Sequence, residues 1–150
     1  MKLNFFYSFV YFSQLNKFKK AKRLWPEVKE IGKQFENKYQ SEINQLLGII
    51  PKVTGKPWHN KTITVYITDW PGPSFSHPLT LKVNSDLLLM LVILTHEFLH
   101  DFYLKDKKTL GIQEVEKQIN QKVEEIFKLL KINADKQIQT LWQYHKNRFS

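Results

Sequence analysis

The chain contains no cysteine. That excludes a disulfide framework and every zinc site built on thiolates, and it leaves His, Asp and Glu as the side chains able to hold a metal. A membrane-spanning run is lacking too. The unbroken apolar stretch Leu87 to Leu94 is eight residues long, against roughly 18 to 20 for a bilayer-spanning helix, so it reads as a helix buried in protein. No internal repeat, low-complexity tract or interdomain linker divides the 150 residues, and 42% hydrophobic content suffices for one core, so a single domain is expected. Acidic residues are in the minority, 14 against 23 Lys and Arg, for a net charge of +9. Such a charge attracts phosphate backbones, anionic membranes or acidic partners. Lysine is spread along the whole sequence, however, so nucleic acid is expected only through nonspecific basic charge. Met1 to Phe12 has no small-residue cleavage site, and Asn4 and Ser8 interrupt its aromatic run. It reads as a buried strand, with an uncleaved export signal as the alternative, and cytoplasmic residence follows.

What is present centres on Thr95-His96-Glu97-Phe98-Leu99-His100-Asp101, directly after the apolar run. Asn84, Ser85 and Asp86 offer side-chain oxygens to cap the helix start. On that helix His96 and His100 are four residues apart and stack on one face, close enough for one metal ion between two imidazoles. Glu97 is the next residue round. This HExxH spacing supplies two nitrogen ligands for zinc and a carboxylate placed to take a proton from zinc-bound water.

Around it the chain alternates sheet and helix signals. Asn4 to Phe12 is aromatic and aliphatic on both faces, as in a strand covered on both sides. Trp25-Pro26-Glu27 opens a helix whose apolar face is Val28, Ile31, Phe35, Tyr39, Ile43, Leu46, Leu47 and Ile50, ended by Gly48 and Pro51. Thr62 to Thr68 alternates as a strand, with Ile63, Val65 and Ile67 on one face. A turn spans Asp69 to Pro73. Leu79 to Val83 alternates again, with Thr80 and Lys82 outward, and Pro78 marks it as an edge strand, either open to strand addition by a peptide or covered by a loop. Gly111 precedes a helix from Ile112 to Leu130, and a last helix runs from Ala134 to about Lys146. The expected fold is α+β, a small mixed sheet packed on a helical layer.

Two histidines do not complete a zinc site. On the Ile112 to Leu130 helix, with Val115 at zero and about 100° per residue, the apolar stripe lies between about 20° and 120° and Glu116 falls inside it at about 100°. Glu116 is therefore the expected third ligand. His145, inward-facing on the last helix, is the alternative. Asn120, one turn beyond Glu116, is suited to accept a hydrogen bond from the outer ring N–H of a ligand histidine, with Asp101 and Thr95 as weaker candidates. His59 and His77 fall in loops, His77 within possible reach of the cleft.

Through His96-Glu97-Phe98-Leu99-His100 and Glu116-Lys117-Gln118-Ile119-Asn120 the chain resembles the gluzincin metallopeptidases, in particular their compact single-domain members, the minigluzincins. The resemblance covers roughly residues 62 to 130. It implies a zincin-like fold, zinc held by His96, His100 and Glu116, Glu97 as general base in peptide-bond hydrolysis, and Leu79 to Val83 as a substrate-aligning edge strand. The sequence departs from the larger gluzincins in having Asn120 where an aspartate is usual and Val115 rather than asparagine before Glu116. It also lacks a second lobe to supply an oxyanion-stabilising Tyr or His, Tyr103 being the nearest tyrosine. Three readings remain open: a zinc peptidase acting on peptide or protein substrates, a zinc-stabilised binding module on the same scaffold without turnover, and, motivated by the charge of +9, a basic nucleic-acid-associated protein.

Overall fold

The computed structural model describes residues 1–70, 72–103 and 106–149. Its elements are β1 (Lys2–Phe6), α1 (Phe9–Leu15), α2 (Phe18–Thr54), β2 (Thr62–Thr68), β3 (Phe75–Ser76), β4 (Leu79–Lys82), α3 (Leu87–Tyr103), α4 (Lys107–Leu110), α5 (Ile112–Leu130) and α6 (Asp135–Phe149). The architecture is α+β: among the described residues, six helices and one mixed four-stranded sheet in the order β1-β2-β4-β3. β1 runs parallel to β2 and β2 parallel to β4, while β3 pairs antiparallel with β4. The expected turn at Asp69 to Pro73 falls partly outside the described residues, at Pro71.

The first strand is shorter than its composition suggests. It ends at Phe6, and Ser8 caps a helix instead, its Oγ accepting from the Tyr11 N–H at 3.2 Å. As the outermost strand, β1 has one neighbour, and its residues alternate between exposed and half-buried rather than being covered on both sides. The aromatic residues beyond Ser8 serve helix packing: Phe12 is fully buried and stacks on Trp25 at 5.4 Å.

α2 starts earlier and ends later than proline and glycine placement predicts. It begins at Phe18, runs through Pro26 and Pro51, and closes only at Gly55, which adopts a left-handed φ of 68°. Proline at 51 deprives the carbonyl four residues back, Leu47, of its helical donor. The Trp58 indole N–H replaces that donor at 2.8 Å, and Ile50 beside it is fully buried. Tertiary contacts thus carry the helix past a local stop signal. The expected apolar face is buried at Val28, Phe35, Tyr39, Ile43, Leu46 and Ile50, while Ile31 and Leu47 are half-buried.

β2 follows its alternation, burying Ile63, Val65 and Ile67. β4 is not a free edge: β3 pairs along its outer side, Phe75 opposite Thr80 and Ser76 opposite Leu79. Nor does Thr80 face solvent. It is fully buried beneath α1, its hydroxyl sharing a hydrogen bond with the Tyr11 hydroxyl at 2.8 Å. α3 is capped as expected, the Asp86 carboxylate accepting the Leu89 N–H at 3.1 Å, and from Leu94 to His100 every residue is buried. α5 and α6 pack against α3 and each other, which brings three helices to the site.

Candidate metal centre

His96 and His100, one turn apart on α3, aim their Nε2 atoms at each other at 3.0 Å. α5 crosses with its apolar stripe (Val115, Ile119, Val123, Ile126) inward, which carries Glu116 into the same space. Glu116 Oε2 lies 3.2 Å from His96 Nε2, and Oε1 lies 3.3 Å from His100 Nε2. Donors of a tetrahedral ion at about 2.0–2.1 Å sit about 3.3 Å apart, so these separations match three corners of such a shell. The three buried side chains can hold a metal ion. Glu116 Oε2, His96 Nδ1 and His100 Nδ1 accept or donate no hydrogen bond among the described residues. A cation in the triangle would satisfy the carboxylate oxygen.

The protonation states suit metal binding, which needs neutral imidazole and ionised carboxylate. Burial, and then the neighbouring His96, holds the His100 imidazole down at about 3. His145 is held down at about 4 by the same two causes. Burial alone would raise Glu116, but the close approach of His96 and the surrounding imidazoles hold its carboxyl down at about 2. Glu97 behaves oppositely: buried and not bonded into the triangle, its carboxyl is pushed up to about 7 by desolvation, against the pull of His96. A carboxyl poised near neutrality beside a metal-competent triangle can both take and return a proton.

The site opens into a cavity of about 560 Å³ between the β3–β4 hairpin and helices α3, α5 and α6. Glu97, His96, His100 and Glu116 line its floor. Lys82, Lys107 and Arg148 are the cations on its walls, and Glu97 and Glu116 are its only carboxylates among the described residues. Lys107 and Arg148 both act electrostatically on Glu97, lowering its carboxyl.

Other sequence-predicted residues fall differently. His145 stands beside the triangle, its Nδ1 3.6 Å from Glu116 Oε2 and its ring 4.6 Å from that of His96. Asn120 is buried on α5, but its Oδ1 makes no hydrogen bond, so the expected bond to a ligand histidine is not formed. It faces a second cavity of about 620 Å³ between α5 and α6, which reaches Glu116 and His145 from the far side. Thr95 donates to Leu91 O within its own helix at 2.8 Å, and Asp101 pairs with His77 Nε2 at 2.9 Å, so neither orients a ligand. His77 ties the β3–β4 turn to α3 instead of lining the cleft. Tyr103 is buried away from the cleft under Lys56, whereas Tyr144 lines it. Sequence reading missed Tyr144, Arg148 and Lys107; on an amphipathic terminal helix and a short connection, nothing local marks them.

Fold and site together define an α+β protein with a buried two-histidine, one-carboxylate centre able to take a metal ion. Compared with protein families, curated proteins and solved structures, the chain matches none. Among the described residues no helix is long and apolar enough to cross a membrane.

Proposed function

We propose that the protein is a zinc-dependent peptidase. The observation that carries this reading is the His96–His100–Glu116 triangle with the buried Glu97 carboxyl at its side on the floor of an open cleft. The all-nitrogen-and-oxygen donor set with three protein ligands fits zinc in its catalytic form. The resemblance of His96 to His100 and Glu116 to Asn120 to gluzincins, and of the α3–α5 arrangement beside a mixed sheet to a zincin-like fold, points the same way. Zinc there would supply a Lewis acid that acidifies water and polarises a scissile carbonyl. His96, His100 and Glu116 would hold the ion, Glu97 would take a proton from water and deliver it to the leaving amine, and Tyr144, on the wall of the same cleft, is a hydroxyl available to a bound substrate. With β4 covered, the short outer strand β3 is the edge that a peptide would meet. The cationic walls favour peptides with acidic side chains near the scissile bond.

The test is elemental analysis with activity on casein or a mixed peptide pool. Wild type should carry one zinc per chain, Glu116→Ala should lose it, and Glu97→Gln should keep it while hydrolysis falls at least about a hundredfold. Undiminished cleavage by Glu97→Gln would show that the general base lies elsewhere.

One observation favours a second reading, a zinc-stabilised binding module without turnover. His145 adjoins Glu116 closely enough that a small shift of α6 would add a fourth protein ligand and close the shell, as in structural zinc sites. On that reading His145→Ala lowers zinc affinity and no variant cleaves peptide; on the peptidase reading zinc is retained.

A further inference from the structure

The basic charge, although spread along the sequence, is densest in one segment at the start of α2. Of the seven residues from Lys17 to Arg23, five are cations: Lys17, Lys19, Lys20, Lys22 and Arg23. All five are exposed, and the lysines that form ion pairs among the described residues are others, namely Lys33, Lys56 and Lys122. With Phe18 at zero and about 100° per residue, Lys22, Lys19, Arg23 and Lys20 fall between about 40° and 200°, while the buried Ala21 lies at about 300°. The outward half of the first turns of α2 is thus wholly basic.

Apolar groups stand at its border. Phe18 is 63% exposed and Val10, on the first turn of α1, is 66% exposed. The Phe9 ring joins the two helix starts, 5.8 Å from Phe18 and 5.8 Å from Trp25. Neither Phe18 nor Val10 is needed to complete the core, and water-exposed side chains of this kind beside a polybasic face are what an interfacial surface presents: cations to headgroups, apolar tips to the acyl boundary. A nucleic acid would engage the cations but offers nothing to an aliphatic Val10.

We propose that the corner formed by α1 and the start of α2 docks on the surface of an anionic lipid bilayer. Attachment is peripheral, through headgroup contacts and the shallow insertion of Val10 and Phe18. Among the described residues, nothing before Gly72 lines the cleft, so docking leaves the metal centre open to solvent. Docking there does not depend on what that centre does.

The test is co-sedimentation of the full chain with phosphatidylcholine vesicles, with and without phosphatidylserine, at physiological ionic strength. Binding is expected only with phosphatidylserine. Neutralising Lys19, Lys20 and Lys22 to Gln should weaken it about a hundredfold, at about fivefold per cation. Val10→Ser with Phe18→Ser should weaken it about tenfold while lowering the melting temperature by no more than about 5 °C, since both side chains are mostly exposed and Phe18 gives up chiefly its edge contact with Phe9. Absence of phosphatidylserine-dependent binding by wild type overturns the proposal. So does binding unaffected by the Val10 and Phe18 substitutions, an outcome that, with equal retention on double-stranded DNA, would reduce the corner to a nonspecific polycation.

Discussion

At the residue scale, the centre is governed by desolvation. His100 and His145 are held at about 3 and about 4, below the ordinary 6.5 that they regain on unfolding, and Glu97 is held at about 7, above its ordinary 4.5. Between about pH 4.5 and 6.5 the unfolded chain therefore binds protons on two histidines that the folded chain does not. Over the same range the folded chain binds one on Glu97 that the unfolded chain has released. The histidines outweigh the glutamate, so metal-free protein loses stability as pH falls through this window, at about 1.4 kcal/mol per pH unit for each net proton. Below about 4.5 the Glu97 contribution is flat and the depressed Glu116 adds to the loss, so the slope steepens. Above about 6.5 the histidines no longer differ, and rising pH works against Glu97 alone. Thermal melts in chelator across this range should peak at about pH 6 to 7 and fall towards acid; Glu97→Gln should steepen the fall between 4.5 and 6.5. A flat profile would contradict the burial-driven shifts.

At the element scale, α2 shows how one substitution can have opposite effects along a single helix. A Cβ at Gly32 would lie 2.6 Å from the Tyr7 ring and 3.0 Å from Ile67 Cγ2, and Tyr7 is not free to move because its hydroxyl donates to Glu36. At Gly48 a Cβ meets nothing within 4 Å. Gly32→Ala should destabilise by about 1–2 kcal/mol, overpacking outweighing the gain in helix propensity. Gly48→Ala should stabilise by about 0.5–1 kcal/mol. Denaturant unfolding of both variants checks the pair. Trp58 lies beyond the end of α2 but donates to it, and Trp58→Phe, which leaves the Leu47 carbonyl without its donor beside Pro51, should cost about 1–3 kcal/mol.

At the scale of the whole molecule, the triangle joins α3 to α5, with His145 of α6 beside it, so occupancy by a metal ion would be linked to folding. Zinc at about a hundred times its dissociation constant would stabilise the folded state by about 2.7 kcal/mol, or about 5–11 °C in a chain of this size. The shift should grow with the logarithm of free zinc and vanish in Glu116→Ala; a melting temperature insensitive to zinc would mean that the triangle does not bind it. The division between what was legible in sequence and what was not follows interaction range. Periodicity within one helix determined α3 as a buried element, His96 and His100 on one face, Glu116 within the α5 stripe, and β2 by alternation, because each depends on residues a turn or a strand pair apart. Only the tertiary structure decided that β1 stops at Phe6, that α2 runs through Pro51, that β3 covers β4, that Asn120 makes no bond to a ligand histidine, that His145 adjoins the triangle in which Glu116 is the third donor, and that Arg148 reaches the cleft. Those outcomes turn on partners tens of residues distant, such as Trp58 for Leu47 or α1 for Thr80, and a local pattern carries no information about which distant surface will arrive to bury it.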